Sequence, residues 1–155
     1  MARVLIVGCG CRGQALAKAL VAEGHAVRGT TRDATRLPDI EAAGAEAAQA
    51  DPDRLATLMP AIAGVSVVCW LMGTARDADQ LHGPRLESML EHIVDTHVRG
   101  LVYETGGLDR PEGVAAARRA AATYNMPVEV VDADPAVPDA WTPSMKSAVQ
   151  RLFAA

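Results

Sequence analysis

The sequence predicts an α/β fold in which one parallel sheet carries helices on both faces. Short apolar runs alternate with helical patterns from end to end, which is typical of parallel sheets. The first run, Val4–Val7, is apolar throughout, as expected of a strand buried on both faces. A glycine-rich turn follows it and opens the first helical pattern. The chain has 155 residues and half are apolar, so we expect a single domain over residues 1–155.

The first half of the chain contains three strand patterns, each followed by a helix pattern. In the first helix, Leu16 and Leu20 share a face, and Gly24 is a good stop signal. The second helix is short and interrupted near Pro38. The predicted strands are Val4–Val7, Ala26–Thr30 and Ala45–Ala50, and the predicted helices are Gln14–Glu23, Asp33–Ala43 and Asp53–Ile62.

The second half repeats this alternation. The first of its strands is the strongest strand pattern in the chain, and the helix after it has apolar residues at helical spacing. The middle helix is rich in Ala, and Pro143 is expected in the first turn of the last helix. The predicted strands are Val65–Leu71, Leu101–Glu104 and Val128–Val131, and the predicted helices are Pro84–Val98, Pro111–Thr123 and Asp139–Phe153.

Six strands alternating with six helices predict a three-layer, doubly wound sheet. Right-handed crossovers between parallel strands favour the strand order 3-2-1-4-5-6, which is that of the Rossmann fold. We therefore expect a six-stranded parallel sheet with helices on both faces.

Composition excludes several classes of function. The net charge is −4 and no segment is strongly basic, so nucleic-acid binding has no electrostatic support. No apolar run approaches the length of a membrane span, and the N-terminus enters a strand without a signal-peptide pattern. Three cysteines form no disulfide framework. We expect a cytoplasmic protein that contacts neither nucleic acid nor membrane.

The glycine-rich turn matches the pattern G-x-G-x-x-G between a predicted strand and a predicted helix. The first glycine permits the tight turn, the second lets the backbone approach a pyrophosphate, and the third lets the helix pack against the strand. The helix N-terminus then offers free N–H groups to phosphates. The sequence therefore predicts a dinucleotide site that includes Gly8, Cys9, Gly10, Cys11, Arg12 and Gly13.

The end of the second strand indicates which dinucleotide is bound. NAD sites usually carry Asp or Glu there for the ribose 2′-hydroxyl, whereas this chain has Thr30, Thr31 and Arg32. A guanidinium suits a 2′-phosphate, so NADP is favoured. Asp33 leaves NAD open, because its carboxylate would bind the 2′-hydroxyl if it faced the ribose.

Further cofactor contacts are expected where other strands end, because ligands of open α/β sheets bind at that edge. Asp51 follows the third strand and is expected to border the adenine. Leu71, Met72 and Gly73 follow the fourth strand and are expected along the adenosine ribose and the linker.

Two residues are candidates for catalysis. Thr105 follows the fifth strand, near the expected position of the nicotinamide. His82 lies in the loop after the fourth strand and is the best-placed acid–base group.

Cysteine chemistry offers a weaker hypothesis. Cys9 and Cys11 lie in the glycine turn without a nearby histidine, so no metal site is predicted. A thiol at a helix N-terminus can have a lowered pKa, so one of these two could be oxidisable and protected by bound dinucleotide. The alternative is that small residues are simply tolerated in a tight turn.

The stretches "VLIVGCGCRGQALAKALVAEGHAVRGTTRD", "AGVSVVCWLMG" and "LVYETGG" resemble the N-terminal part of atypical and extended short-chain dehydrogenase/reductases. NAD-dependent epimerase/dehydratase-like and NmrA-like proteins are the most similar members. The resemblance covers about residues 3–107 and implies a Rossmann fold and NAD(P) binding. It also implies a Ser or Thr after the fifth strand, a position that Thr105 fills.

The chain departs from this family's pattern at the catalytic residues. Active members carry Tyr-x-x-x-Lys on the helix after the fifth strand, whereas Tyr103 and Tyr124 are each followed four residues later by Gly107 and Val128. We also expect the family's C-terminal substrate-binding region to be absent. The resemblance therefore implies cofactor binding without carrying over the catalysis.

Three functions remain open. The first is a small NADP-dependent oxidoreductase of atypical type, in which positioning replaces the Tyr-Lys pair. The second is a non-catalytic dinucleotide-binding redox sensor or a regulatory module that acts with a partner chain. The third is a protein of this fold with another ligand or none. A homodimer is expected to cover the nicotinamide end, with the last helix and Trp141 contributing to the interface.

Overall fold

The computed structural model describes residues 3–72 and 79–154. Its centre is a six-stranded, fully parallel sheet in the order β3-β2-β1-β4-β5-β6, which confirms the predicted topology. The strands are β1 (Arg3–Val7), β2 (Ala26–Thr31), β3 (Glu46–Gln49), β4 (Val67–Trp70), β5 (Gly100–Glu104) and β6 (Val128–Val131).

Among the described residues, five α-helices connect consecutive strands and a sixth follows β6, as predicted. They are α1 (Cys11–Ala22), α2 (Leu37–Ala42), α3 (Leu55–Ile62), α4 (Pro84–Ile93), α5 (Pro111–Tyr124) and α6 (Pro138–Ala154). Short 3₁₀ turns precede α2 at Ala34–Arg36 and α4 at Asp79–His82. No helix within the described residues is both long and apolar enough to cross a bilayer.

Several helix boundaries differ from the predicted ones, among them those of α1, α4 and α6. Helix α1 begins at Cys11 because the glycine turn leads into it directly, with the Gln14 N–H donating to the Gly10 carbonyl at 2.8 Å. Helix α4 ends at Ile93, five residues early, because the Thr96 hydroxyl donates to the Ile93 carbonyl and accepts from the Val98 N–H. Pro143 lies in the second turn of α6, which begins at Pro138.

Two hydrophobic cores cover the two faces of the sheet. Alternate side chains of β1 point to opposite faces: Leu5 and Val7 join the core under α3, α4 and α5, whereas Val4 and Ile6 join the core under α1, α2 and α6. All four are fully buried. Burial on both faces explains why β1 is apolar throughout.

The carboxyl ends of all six strands lie along one edge of the sheet, as parallel pairing requires. The N-termini of the following helices point toward this edge, so turns and loops from distant parts of the sequence meet there. This edge contains the glycine turn after β1, the end of β2, the segment after β4 and the end of β5.

Candidate dinucleotide-binding site

The glycine turn after β1 is held in place by the end of β2. The Cys9 N–H donates to the Thr30 carbonyl at 2.8 Å, and the Gly8 N–H donates to Thr30 Oγ1 at 3.2 Å. Thr30 is buried, so its hydroxyl stabilises the turn from the side that faces the core. Gly8 has a φ of +84°, a conformation that glycine adopts without strain.

The N-terminus of α1 is bare of side-chain caps. Gly10 is the N-cap residue and supplies no side chain to the first-turn N–H groups. The first N–H groups of a helix lack partners within the helix, and the helix dipole adds partial positive charge there. This turn can therefore bind phosphate oxygens through its main chain.

Two glycines make room for the Cys9 side chain, which points into the core. A Cβ atom on Gly29 would lie 2.7 Å from the Cys9 Sγ atom, and one on Gly13 would lie 3.2 Å from it. Burial raises the pKa of Cys9 to about 12. The expectation of a lowered thiol pKa is therefore wrong for Cys9, because its thiol faces apolar side chains and not the helix N-terminus. Cys11 is exposed.

A pocket of about 500 Å³ opens above the turn, a volume typical of ligand sites. We call it the glycine-turn pocket. Most of the cofactor-binding residues predicted from the sequence line it, together with several that were not predicted. Its lining is Gly8, Cys9, Gly10, Cys11, Arg12, Gly13, Thr30, Thr31, Arg32, Asp33, Arg36, Ala50, Pro52, Leu71, Met72 and Leu81.

Two predicted contacts are not in this lining. The Asp51 side chain stabilises the turn that follows β3, because its Oδ1 accepts from the Asp53 N–H at 2.9 Å. The neighbouring residues Ala50 and Pro52 line the pocket. Gly73 lies outside the described residues. The sequence did not single out Arg36, a second arginine shortly after the end of β2 that also lines the pocket.

Asp33, the residue that left NAD open, is engaged by its own chain. Its Oδ1 accepts from the Thr35 N–H at 2.9 Å and from the Thr35 hydroxyl at 2.7 Å, so it caps the 3₁₀ turn before α2. These hydrogen bonds lower the pKa of Asp33. Its other oxygen lies 3.8 Å from the Arg36 Nε atom. The carboxylate therefore has partners before any ribose arrives.

His82 lies in the core beneath the pocket wall and is 4% exposed. Its Nε2 bonds the Met72 carbonyl at 2.9 Å, and its Nδ1 bonds the Tyr103 hydroxyl. Because a carbonyl oxygen only accepts, Nε2 carries a hydrogen, and in the neutral ring Nδ1 then accepts from the Tyr103 hydroxyl. Burial raises the pKa of Tyr103 to about 12, so this hydroxyl stays protonated. Both ring nitrogens of His82 thus bond protein atoms.

Thr105 follows β5 and is 2% exposed. Its N–H donates to the Val131 carbonyl at 3.0 Å, and its carbonyl accepts from the Arg110 Nε atom at 3.0 Å. Its hydroxyl has no hydrogen-bond partner among the described residues. A buried hydroxyl without a partner is uncommon and is a natural place for a ligand contact.

Neighbouring Glu104 was missed by the sequence reasoning. Its carboxylate is fully buried, pairs with Arg12 and accepts from the Trp141 indole Nε1 at 2.9 Å. A charged residue at the end of an otherwise apolar strand was the available signal. Trp141 is 2% exposed, so its ring belongs to this buried cluster and is not available to the interface expected from the sequence.

No group of three or more His, Cys, Asp or Glu side chains within the described parts of the chain is arranged to hold a metal ion. The lining instead combines a glycine turn, a helix N-terminus and arginines. A pocket of this kind at the carboxyl edge of a doubly wound parallel sheet defines the class of dinucleotide-binding α/β proteins.

A family model described as NAD(P)H-binding matches residues 8–113, and the chain belongs to this NAD(P)H-binding family. This match agrees with the predicted resemblance to atypical and extended short-chain dehydrogenase/reductases and confirms its NAD(P)-binding part, and the structural neighbours share the fold. No curated protein matches the chain by sequence.

Three solved structures illustrate the similarity of fold. Triphenylmethane reductase from Citrobacter sp., complexed with NADP(H), is 19% identical with a TM-score of 0.64 over 83% of this chain and 48% of its own. A nucleoside-diphosphate-sugar epimerase from Staphylococcus aureus is 14% identical with a TM-score of 0.65 over 84% and 49%. An NADPH-dependent quinone oxidoreductase from Escherichia coli is 17% identical with a TM-score of 0.59 over 82% and 46%. The chain thus spans about half the length of these proteins.

Proposed function

We propose that the glycine-turn pocket binds NADP(H). In this proposal Arg32 binds the ribose 2′-phosphate and Arg36 provides a second positive charge beside it. The observation that carries this proposal is the arrangement at the end of β2. Both arginines line the pocket there, while the one nearby carboxylate in the lining, Asp33, is bonded to Thr35. Two guanidinium groups favour a doubly charged phosphate over a neutral hydroxyl.

The orientation follows from the order of the strands. The adenosine half lies toward β2 and β3, the pyrophosphate lies over the N-terminus of α1, and the nicotinamide half lies toward β4 and β5. In this orientation Thr105, which follows β5, lies on the nicotinamide side, and its buried hydroxyl has no hydrogen-bond partner among the described residues. The NADP(H) complex of the Citrobacter reductase, which shares the fold, supports the choice of cofactor.

We further propose a small oxidoreductase in which the protein orients the cofactor and Thr105 contacts the reacting end. The two hydrogen bonds of His82 favour a positioning role for this residue, through the Met72 carbonyl of the pocket wall, over proton transfer. Hydride transfer would then depend on geometry and on the chemistry of the cofactor itself.

A second function, a non-catalytic redox sensor or partner module, is favoured by the position of the candidate Tyr and Lys side chains. Tyr103 is fully buried and donates to His82, and the Lys146 ammonium group pairs with Glu23 at 3.0 Å. Neither arrangement offers the tyrosine–lysine pair of active short-chain reductases.

A homodimer is a further proposal. Leu108 and Val137 are exposed apolar side chains, 56% and 48% exposed, on the loops that precede α5 and α6. The two loops are in contact, since a Cβ atom on Gly107 would lie 3.0 Å from the Asp134 Cα atom. Light scattering of the wild type and of a Leu108→Ser, Val137→Ser variant tests the proposal, with loss of the dimer in the variant as the expected result. A monomeric wild type would contradict it.

The decisive experiment for the cofactor is calorimetric titration with NADP⁺ and NAD⁺ side by side. Wild-type protein is expected to bind NADP⁺ more tightly. Arg32→Ala should weaken NADP⁺ binding about tenfold to a hundredfold, as expected for a lost charge-assisted contact, and leave NAD⁺ binding nearly unchanged. Arg119→Ala is the matched control, because Arg119 pairs with Glu87 on an exposed surface away from the pocket.

Equal losses for both dinucleotides in Arg32→Ala would show that this residue does not read the 2′-phosphate. Catalysis is tested separately by following NADPH oxidation with a panel of carbonyl compounds and quinones. Turnover supports the oxidoreductase, whereas tight binding without turnover supports the sensor or partner module.

A further inference from the structure

Three side chains from distant parts of the chain form one buried cluster beside the glycine-turn pocket. Glu104, at the end of β5, is fully buried and pairs with the guanidinium of Arg12. The same carboxylate oxygen accepts from the Trp141 indole Nε1 at 2.9 Å. The Arg12 guanidinium also lies over the Trp141 ring, 5.3 Å from its centroid. We call these three residues the Arg12 cluster.

Arg12 belongs to the pocket as well as to the cluster. It is the second residue of α1 and lines the pocket together with the three glycines of the turn. Its side chain is 22% exposed, whereas that of Glu104 is fully buried. The guanidinium that pairs with Glu104 is therefore the same group that a phosphate in the pocket would bond.

A buried carboxylate strongly favours a nearby cation, because removal from water is costly unless the charge is compensated. Glu104 therefore holds Arg12 and offsets most of its positive charge. An incoming pyrophosphate meets an arginine that is already paired, and the buried carboxylate beside that arginine repels the added negative charge.

The geometry points to Glu104 as a residue that lowers dinucleotide affinity by competing with the pyrophosphate for Arg12, with Trp141 moderating that competition. This inference rests on the proposed function. The pyrophosphate is common to NADP and NAD, so Glu104 acts on both dinucleotides alike, in contrast to Arg32, which distinguishes them.

The first test is the Glu104→Gln variant. Glutamine keeps the size of the side chain and an oxygen that accepts from Trp141, but it removes the negative charge. The affinities for NADP⁺ and NAD⁺ are expected to rise by the same factor, about tenfold, while the affinity for adenosine 2′-monophosphate, which has no pyrophosphate, stays unchanged. Glu87→Gln, which removes a carboxylate from an exposed ion pair, is the matched control.

The second test is Trp141→Phe, for which the opposite sign is expected. Phenylalanine keeps an aromatic ring near Arg12 but removes the indole N–H that Glu104 accepts. The carboxylate then depends more on Arg12, so both dinucleotides should bind about threefold more weakly. Introducing Arg12→Ala into the Glu104→Gln protein should abolish the gain in affinity, because Glu104 acts through Arg12.

Unchanged or weaker dinucleotide binding by folded Glu104→Gln protein overturns the inference, as does a gain limited to NADP⁺. If Glu104→Gln does not fold, Trp141→Phe decides: unchanged or tighter binding there overturns the inference. If the wild-type protein binds neither NADP⁺ nor NAD⁺, the proposed function itself is refuted. If the wild type binds both and the variants bind them equally well, only the inference about Glu104 is refuted.

Discussion

Met72 closes over Gly8 at the floor of the pocket. A Cβ atom on Gly8 would overlap the Met72 Cε atom and lie 2.9 Å from the Leu71 carbonyl oxygen. The tip of Met72 can move aside, so the main chain of Leu71, just after β4, is what leaves no room for a side chain at Gly8. Gly10 differs, because no atom lies within 4 Å of the position of its Cβ and its φ of −83° is open to other residues. The two glycines thus have separate roles, Gly8 in packing and Gly10 in leaving space above the turn.

The contrast between these glycines predicts the effects of two matched variants. Gly10→Ala should leave the free energy of unfolding nearly unchanged but weaken NADP⁺ and NAD⁺ binding at least tenfold, because the new methyl group enters the space expected for the pyrophosphate. Gly8→Ala should destabilise the fold by about 2 kcal/mol or more, because it places alanine at a positive φ and crowds the Leu71 carbonyl oxygen. Urea unfolding and calorimetric titration measure the two effects. Undiminished binding by Gly10→Ala would argue against a pyrophosphate above this turn.

The buried hydroxyl of Thr105 predicts that removing it lowers activity without lowering stability. Thr105→Val keeps the shape of the side chain and removes a buried hydroxyl that has no hydrogen-bond partner among the described residues. Stability should stay level or rise by up to about 1 kcal/mol. NADPH oxidation, if the protein turns over, should fall about tenfold or more, with a smaller change in NADP⁺ affinity. Thermal unfolding and steady-state kinetics test this, and unaltered kinetics would remove Thr105 from the reacting end.

The two cysteines of the turn should differ in reactivity. Cys11 is exposed at the start of α1, whereas Cys9 is buried and its pKa is raised to about 12. Iodoacetamide at pH 8 should therefore modify Cys11 and spare Cys9 in the folded protein, because the thiolate is the reactive form. Saturating NADP⁺ should slow the modification of Cys11, which lines the pocket. Mass spectrometry of the labelled peptides follows both, with Cys11→Ser as control; equal labelling with and without NADP⁺ would contradict the protection.

Cys9 also predicts how stability depends on pH. Its pKa is raised from 9.0 to about 12 by burial, so the folded protein keeps a proton that the unfolded chain releases. The stability linked to Cys9 is complete below pH 9 and is lost as pH rises from about 9 toward 12. In Cys9→Ala the decline of the unfolding free energy over this range should be shallower by up to about 1.4 kcal/mol per pH unit. Urea unfolding at several pH values measures the slope, and parallel curves for the two proteins would contradict the assignment.

The sequence predicted the fold, and most of the residues that line the glycine-turn pocket, because both depend on local patterns. Apolar periodicity and turn residues within short stretches of sequence predict the strands and helices. The right-handed crossover rule then allows few ways to arrange them in a sheet. The boundaries of α1 and α4 were less predictable, since they depend on single hydrogen bonds such as the one from Gln14 to Gly10. The lining of the pocket followed largely from knowing which strands end at the same edge.

The directions and partners of side chains were decided by the tertiary structure alone. Whether Cys9 faces solvent or core, and whether Asp33 faces a ribose or caps a turn, depends on neighbours that local patterns do not specify. Arg12 and Glu104 are 92 positions apart in the sequence, and Trp141 is 37 positions beyond Glu104. They meet because parallel pairing brings β1 and β5 to either side of β4, and because α1 and α6 pack on the same face. A charge buried between those elements acquires its partner only when they have packed.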